Sequence, residues 1–161
     1  MRFVVDGMLG GLARWLRMLG HDVTYDSKSN DNELLSKAGT DSRVLLTRDE
    51  ELYGRAVAKN LQSLLVTGKK EEERLAQVAS SFHISLRMEM SQTKCPECGT
   101  NLVQVLKKDV LDQVPMTSLK LYNEFWRCEN TACQKIYWKG SHWNRIQQTL
   151  VESEKLVGQD T

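Results

Sequence analysis

The first ninety or so residues alternate between two hydrophobic periods. Short apolar or alternating runs predict β-strands over 2–5, 21–26, 42–47 and 62–67. Between these runs apolar residues recur at helical spacing, which predicts helices over 7–20, 30–39, 48–60 and 70–82. Strands that alternate with helices in this way predict an α/β fold, with a parallel sheet that is covered by helices on both faces.

Polar residues at the predicted helix starts agree with this pattern. Asn30 and Glu33 are spaced as a capping box, in which each side chain bonds to the backbone of the other residue. Thr47 and Glu50 have the same spacing before the next helix, so Thr47 is the predicted N-cap there.

The pattern changes after residues 83–89, which are either a fifth, edge strand or a segment that leaves the domain. A polar linker over 90–94 follows and marks the predicted boundary. We expect three parts: an α/β domain over 1–90, a small β-rich domain over 91–145, and a polar helix or frayed tail over 146–161, with Ile146, Leu150 and Val157 as packing points.

Four cysteines lie in the second part as two close pairs, Cys95 with Cys98 and Cys128 with Cys133. The chain begins without a signal-peptide pattern, so we expect a reducing compartment in which paired cysteines bind metal rather than form disulfides. Two thiolates across a tight turn can share one metal ion, and four of them complete a closed tetrahedral zinc site. The sequence therefore predicts one structural zinc ion, at which no chemistry occurs.

The segments around the cysteines are predicted to be mostly β-structure. The first pair leads into a strand within 95–105, and the second pair lies at the turn of a hairpin within 124–143. A short helix is predicted within 106–115, ending before Pro115.

Carboxylates follow the predicted strands of the first part. Asp6 ends the first strand, Asp26 ends the second, Asp31 begins the next helix, and Asp49 lies just after the third strand. In an open parallel sheet all of these face one edge. Carboxylates that converge need a cation such as Mg²⁺ or Mn²⁺. Each acid alone could be a turn or helix-start residue, but the combination of Asp6 with Asp49 favours a metal site.

Basic residues near these acids are candidate phosphate contacts. Arg14 and Arg17 are three residues apart on the first predicted helix and so share a face, and Arg48 adjoins Asp49. Lys28 lies in the loop before the second helix. Each of these side chains could contact phosphate or could be an ordinary solvated charge.

Composition adds a weak indication of nucleic acid. The formal net charge is +1, but residues 91–145 contain eight Lys and Arg against five Asp and Glu. Three aromatic or basic residues near the end of this part, Trp138, Lys139 and His142, could grip single-stranded RNA by stacking and charge. Alternatively, the aromatic residues form the small core of this part or its contact with the first part, and His142 is a surface or interface histidine.

The sequence has no apolar run of about 18 residues, so no membrane span is predicted. We expect a cytoplasmic protein. No glycine-rich phosphate loop competes with the acidic residues, because "GMLGG" lacks the spacing of either common fingerprint.

Five motifs, "FVVDGMLGGLARWLRMLGHDVTYD", "LLTRDEEL", "CPECG", "FWRC" and "YWKGSHW", closely resemble the Mut7-C family in sequence and in order. That family pairs a PIN-like ribonuclease domain with a C-terminal zinc ribbon. The resemblance spans about residues 2–145. It implies a PIN-like nuclease domain over 1–90, a zinc ribbon over 91–145, and a metal-dependent nuclease that acts on RNA.

The resemblance also implies roles for individual acids. Asp6 corresponds to the acid after the first strand and Asp49 to the acid after the later strand. Asp31 corresponds to the acid of the middle helix, with Asp26 and Glu33 as competitors for this third position. The second cysteine pair has a wider gap than is common in ribbons, which we expect to lengthen the loop without removing a ligand. The alternatives are a non-catalytic RNA-binding or adaptor protein on the same fold, and a PIN-type nuclease toxin.

Overall fold

A four-stranded parallel sheet in the order β2-β1-β3-β4 forms the centre of the α/β part. The computed structural model describes residues 1–159. The four strands predicted over residues 2–67 are present, and their bounds are Arg2–Val5 for β1, Asp22–Tyr25 for β2, Val44–Thr47 for β3 and Ser63–Leu65 for β4.

Helices cover both faces of this sheet, as predicted. Side chains of β1 alternate between the faces: Phe3 packs with α1, α4 and α6, and Val4 packs with α2 and α3. All β1 side chains from Phe3 to Val5 are fully buried, which explains the uninterrupted apolar run. The helices are α1 (Gly10–Met18, after a 3₁₀ turn at Gly7–Leu9), α2 (Asp31–Thr40), α3 (Glu50–Ala58), α4 (Glu71–Phe82) and, near the C-terminus, α6 (Trp143–Gln159).

One predicted helix start is confirmed and one is wrong. The Asn30 side chain accepts from the Glu33 N–H and the Glu33 carboxylate accepts from the Asn30 N–H, so the capping box of α2 is complete. The N-cap of α3 is Asp49 rather than Thr47. Thr47 remains in β3, where its hydroxyl bonds to Asp6 instead of to the helix.

The ribbon is a three-stranded antiparallel sheet of β5 (Leu102–Val105), β6 (Phe125–Cys128) and β7 (Ile136–Tyr137), which confirms the predicted strand and hairpin. The predicted helix within 106–115 is wrong. A single 3₁₀ turn lies there, at Lys107–Asp109, and α5 (Met116–Leu121) begins after Pro115. Proline suits a helix start because the missing N–H would have no partner there.

The C-terminal helix α6 packs back on α4. Leu150 of α6 is 3% exposed and joins the α/β core, and the other two predicted packing points, Ile146 and Val157, lie against the same core. Residues 83–89 connect α4 to the ribbon without forming a strand. The predicted three-part division stays a prediction, and its last residues, 160 and 161, lie outside the described part. Over residues 1–159 no helix is both long and apolar enough to cross a bilayer.

Candidate active site and cysteine cluster

The order of the strands creates a crevice beside β1. From β1 the chain passes to β2 on one side and then crosses to β3 on the other side. Ligands of open α/β sheets bind at such a reversal, beyond the carboxyl ends of the strands. Asp6 follows β1 here, and Thr47 ends β3 two residues before Asp49.

A short hydrogen-bond chain connects the two acids at this crevice. The Thr47 hydroxyl donates to Asp6 Oδ2 at 2.8 Å and accepts from the Asp49 N–H at 3.0 Å. The backbone N–H of Asp6 donates to the Leu46 carbonyl at 3.0 Å, which fixes Asp6 to the end of β3. Thr47 is fully buried, so it fixes one oxygen of Asp6 and the backbone of Asp49 relative to each other.

Each acid keeps one carboxylate oxygen without a hydrogen-bond partner among the described residues. Asp49 Oδ1 caps α3 by accepting from the N–H groups of Glu51 at 2.8 Å and Leu52 at 3.0 Å. Within residues 1–159, neither Asp49 Oδ2 nor Asp6 Oδ1 has a hydrogen-bond partner. Carboxylates with one unpaired oxygen each fit the oxygen ligation that Mg²⁺ and Mn²⁺ require.

The candidates for a third acid all have structural partners. Asp31 pairs with Arg55 of α3 at 3.6 Å, Asp26 Oδ1 accepts from the Lys28 N–H at 2.9 Å, and Glu33 closes the capping box. Across residues 1–159 no set of three carboxylates converges on one point. The identity of the third ligand therefore stays a prediction.

The predicted phosphate contacts differ in accessibility. Arg48 and Lys28 are exposed close to the acids in sequence. The Arg14 side chain is 58% exposed and forms an ion pair with Glu97 at 2.9 Å.

Arg17 is not available to a substrate, which contradicts the predicted phosphate contact. Its side chain is buried, and its guanidinium donates to the carbonyls of Pro96 at 3.0 Å, Glu97 at 3.1 Å and Val23 at 3.2 Å. The carbonyl of Arg17 in turn accepts from the Lys94 N–H. Arg17 thus attaches the turn that contains Cys95 and Cys98 to α1 and β2.

The four cysteines form one cluster, with all sulfur atoms within 4.8 Å of one another. Cys95 Sγ lies 3.9 Å from Cys133 Sγ, and Cys98 Sγ lies 3.4 Å from Cys128 Sγ. Zinc–sulfur bonds of about 2.3 Å in a tetrahedron place the sulfurs about 3.8 Å apart. The cluster could therefore hold a metal such as zinc, and the wider gap before Cys133 does not remove that residue from it.

The surroundings of the cluster give its thiols different pKa values in the metal-free chain. Burial raises the pKa of Cys98, but hydrogen bonds, first of all from Thr100, outweigh burial and bring the pKa to about 6. Burial raises the pKa of Cys128 to about 12. The Tyr137 hydroxyl lies 3.1 Å from Cys95 Sγ, and burial raises the pKa of Tyr137, so this hydroxyl is neutral beside the cluster.

The predicted RNA-contacting residues of the ribbon have different environments. Lys139 Nζ lies 4.9 Å from the ring centre of Trp143 and 5.9 Å from that of Trp126, so this cation already interacts with two aromatic faces. Trp138 and His142 instead line an open groove between α1 and the ribbon.

Two contacts at the acid pair and the cysteine cluster were not evident from the sequence. Thr47 was interpreted as a helix cap, although a polar residue inside a fully buried strand and two positions before an acid is a usable signal for it. Tyr137 gave no such signal, because its contact with Cys95 depends on the folding of the ribbon.

The protein is an α/β protein that has paired acids at its strand reversal and a four-cysteine ribbon after its sheet. The chain matches the family described as the Mut7-C RNAse domain over residues 1–150. It therefore belongs to the Mut7-C family, as the sequence motifs predict, and this membership indicates a ribonuclease-type function. Neither a curated protein nor a solved structure gives a significant match.

Proposed function

We propose that the protein is a metal-dependent ribonuclease whose catalytic centre is the Asp6 and Asp49 pair. One observation carries this proposal: the buried Thr47 hydroxyl links the two acids at 2.8 Å and 3.0 Å, while each acid keeps a free oxygen. Accessible carboxylate oxygens at the carboxyl edge of the sheet are available to a hard divalent cation.

Asp6 and Asp49 would hold the Mg²⁺ or Mn²⁺ ion through those free oxygens. Such an ion supplies activation of water and neutralisation of the phosphodiester transition state. Asp31 is the third ligand we favour, because its partner Arg55 belongs to the same helix that Asp49 caps. The Asp31–Arg55 pair is long and partly exposed, so little free energy is needed to exchange it for a metal contact.

Arg48 would orient the RNA backbone at this edge. Its side chain is exposed, and it lies between Thr47 and Asp49 in sequence, so it belongs to the hydrogen-bonded turn that precedes Asp49. An arginine can contact a phosphate through two parallel N–H groups. Arg14 and Lys28 are the further exposed cations that would attract the strand.

The four cysteines would hold one structural zinc ion. Four thiolates leave no coordination position for water, so the zinc ion would fold the ribbon and take no part in cleavage. The small core of the ribbon, which is built on Val110, Val114, Leu119 and Phe125, supports this reading because such a core adds little stability by itself.

The test is cleavage of a labelled single-stranded RNA by the zinc-loaded protein, with Mg²⁺ or Mn²⁺ added. We expect cleavage that depends on the added metal and falls at least a hundredfold in Asp6→Asn. Asp112→Asn is the matched control, because Asp112 is an exposed acid outside the crevice. Cleavage that survives both EDTA and Asp6→Asn would assign the activity to a contaminant or another site.

A non-catalytic RNA-binding protein is the second candidate. The observation that favours it is the lack of a third converging carboxylate within residues 1–159. This reading predicts salt-dependent RNA binding without cleavage under any divalent metal ion. Cytoplasmic location, which the sequence predicts, is compatible with either function.

A further inference from the structure

An open groove of about 650 Å³ separates α1 from the ribbon. We call it the ribbon groove, and its lining residues used below are Arg14, Tyr122, Lys135, Trp138 and His142. They come from α1, the end of α5, and the segment around β7, so the groove exists only where the two parts of the chain meet. Its size is in the range of sites that hold small organic ligands.

Aromatic rings form much of the apolar wall of the groove. Trp138 packs against the buried Phe125 with ring centres 6.1 Å apart, which fixes the indole on the ribbon core. Gly140 approaches the same ring so closely that a Cβ atom there would lie 2.8 Å from Trp138 Nε1. A held indole at the edge of an open groove is a stacking platform of the kind that single-stranded RNA-binding proteins use.

Hydrogen-bonding groups of the groove are unused by the protein. Within residues 1–159, no partner is found for the Tyr122 hydroxyl, the Trp138 indole N–H or the His142 ring. Donors and acceptors beside an aromatic wall can read the edge of a nucleobase.

The rim of the groove carries an excess of positive charge. Arg14 and Lys135 both approach the single carboxylate of Glu97, at 2.9 Å and 3.5 Å. One carboxylate cannot neutralise two cations, and the side chains of both cations are more than half exposed. This charge is complementary to a phosphate that flanks a bound base.

We propose that the ribbon groove binds an unstacked base of single-stranded RNA, with Arg14 and Lys135 on the neighbouring phosphate. The inference rests on the proposed function, because the base would belong to the strand that is cut. Arg14 lies eight positions after Asp6, mostly within α1, which is a path of about 12 Å. A strand held in the groove therefore has only a short distance to cover to reach the acid pair.

The test measures RNA affinity in the zinc-loaded Asp6→Asn protein by fluorescence anisotropy. Two oligonucleotides are compared, a normal single strand and one of the same length in which the bases are replaced by abasic positions. Thr117→Trp fills the groove from α5, because Thr117 lines it, and Met116→Trp is the matched control on the same helix, because Met116 is 67% exposed and outside the groove. Neither residue belongs to the ribbon core.

We expect the normal strand to bind about tenfold or more tightly than the abasic strand, since stacking contributes about that much per base. Thr117→Trp should abolish most of this difference, and Met116→Trp should keep it. Equal binding of the two strands, or unchanged binding by Thr117→Trp, would overturn the groove inference while leaving metal-dependent cleavage intact. Conversely, base-dependent binding that Thr117→Trp removes, together with no cleavage by the protein that retains Asp6, supports the groove and rejects the proposed nuclease.

Discussion

The Thr47 hydroxyl donates its single proton to Asp6 Oδ2 at 2.8 Å. An ionised carboxylate can only accept, and the same hydroxyl oxygen accepts from the Asp49 N–H at 3.0 Å. A hydroxyl has one proton to donate, so Asp6 receives it as a carboxylate acceptor. The relationship orients Asp6 without consuming its second oxygen.

Thr47→Val tests this positioning role. Valine has nearly the shape of threonine, but it leaves Asp6 Oδ2 and the Asp49 N–H without their partner. We expect the turnover number for RNA to fall about 10- to 100-fold with little change in KM, and the free energy of unfolding to fall by about 1–2 kcal/mol. Thr47→Ser restores the hydroxyl and should recover turnover. Full turnover in Thr47→Val would show that the bond does not matter for activity.

Asp49 caps α3 and is a proposed metal ligand, and one pair of substitutions separates these two roles. Serine caps helices as well as aspartate does, so Asp49→Ser should keep the melting temperature while removing the proposed metal ligand. We expect metal-dependent cleavage to be lost in Asp49→Ser. Asp49→Ala loses both roles and should also cost about 1 kcal/mol of stability. If Asp49→Ser cleaves RNA normally, Asp49 is only a cap.

Arg17 and Arg14 form a natural comparison, since they share a helix but not an environment. Arg17→Met leaves three carbonyls without their donor, and we expect a loss of about 2–3 kcal/mol in the free energy of unfolding. Arg14→Met removes one exposed ion pair and should change stability by less than about 0.5 kcal/mol. Thermal unfolding of the zinc-loaded proteins measures both values, and equal effects would contradict the attachment role of Arg17.

Zinc uptake should release protons. The pKa of Cys128 is raised to about 12, so this thiol holds its proton at neutral pH until a metal displaces it, whereas Cys98, at about 6, is already largely ionised. We expect zinc affinity to weaken as pH falls from 8 to 6, and zinc titration in a weak buffer to acidify the solution. Cys95→Ser should reduce the zinc content well below one ion per chain. A folded, zinc-free chain with two disulfides would contradict the metal site.

His21 should make stability depend on pH below neutrality. Burial lowers the pKa of His21 to about 4, against about 6.5 for a free histidine. Between these values the unfolded chain binds a proton that the folded chain does not, so the free energy of unfolding falls as pH drops from 6.5 to 4 and is unaffected above 6.5. Because the ring is only partly buried, we expect roughly 1–2 kcal/mol.

The check is the difference between the wild-type chain and His21→Gln in urea unfolding at several pH values. His21→Gln should flatten the curve between pH 4 and 6.5 and leave the curve above pH 7 parallel to the wild type. Comparing the two proteins at equal zinc content cancels the pH dependence of the metal site. Identical slopes would show that His21 titrates in the folded chain as it does in the unfolded chain.

Patterns within one element could be predicted from sequence because they depend on neighbouring residues. The buried run Phe3–Val5 identified β1, and the Asn30 and Glu33 spacing identified the start of α2. The cysteine spacing likewise identified the metal cluster, since each pair lies in one turn. These signals are local, and the fold that they build follows from the rules of parallel sheets.

Roles that depend on distant partners could not be predicted. Arg14 and Arg17 look equivalent on a helix face. The Arg17 guanidinium, however, donates to the carbonyl of Pro96, which is 79 positions later in the sequence. Thr47 has the spacing of a cap, but Asp6, 41 positions away, takes its hydroxyl. The third acid could not be chosen from the sequence for the same reason, because its choice depends on how loops approach each other rather than on spacing.

The return of α6 to α4 has a consequence for the order in which the chain folds during its synthesis. Leu150 is 3% exposed within the α/β core, so that core stays open until the ribosome has made the ribbon and then α6. The zinc-binding segment is therefore translated before the sheet and its helices can complete their packing. The last packing step of the α/β part therefore waits for α6, because Leu150 joins the same core cluster as Phe3 and Leu75.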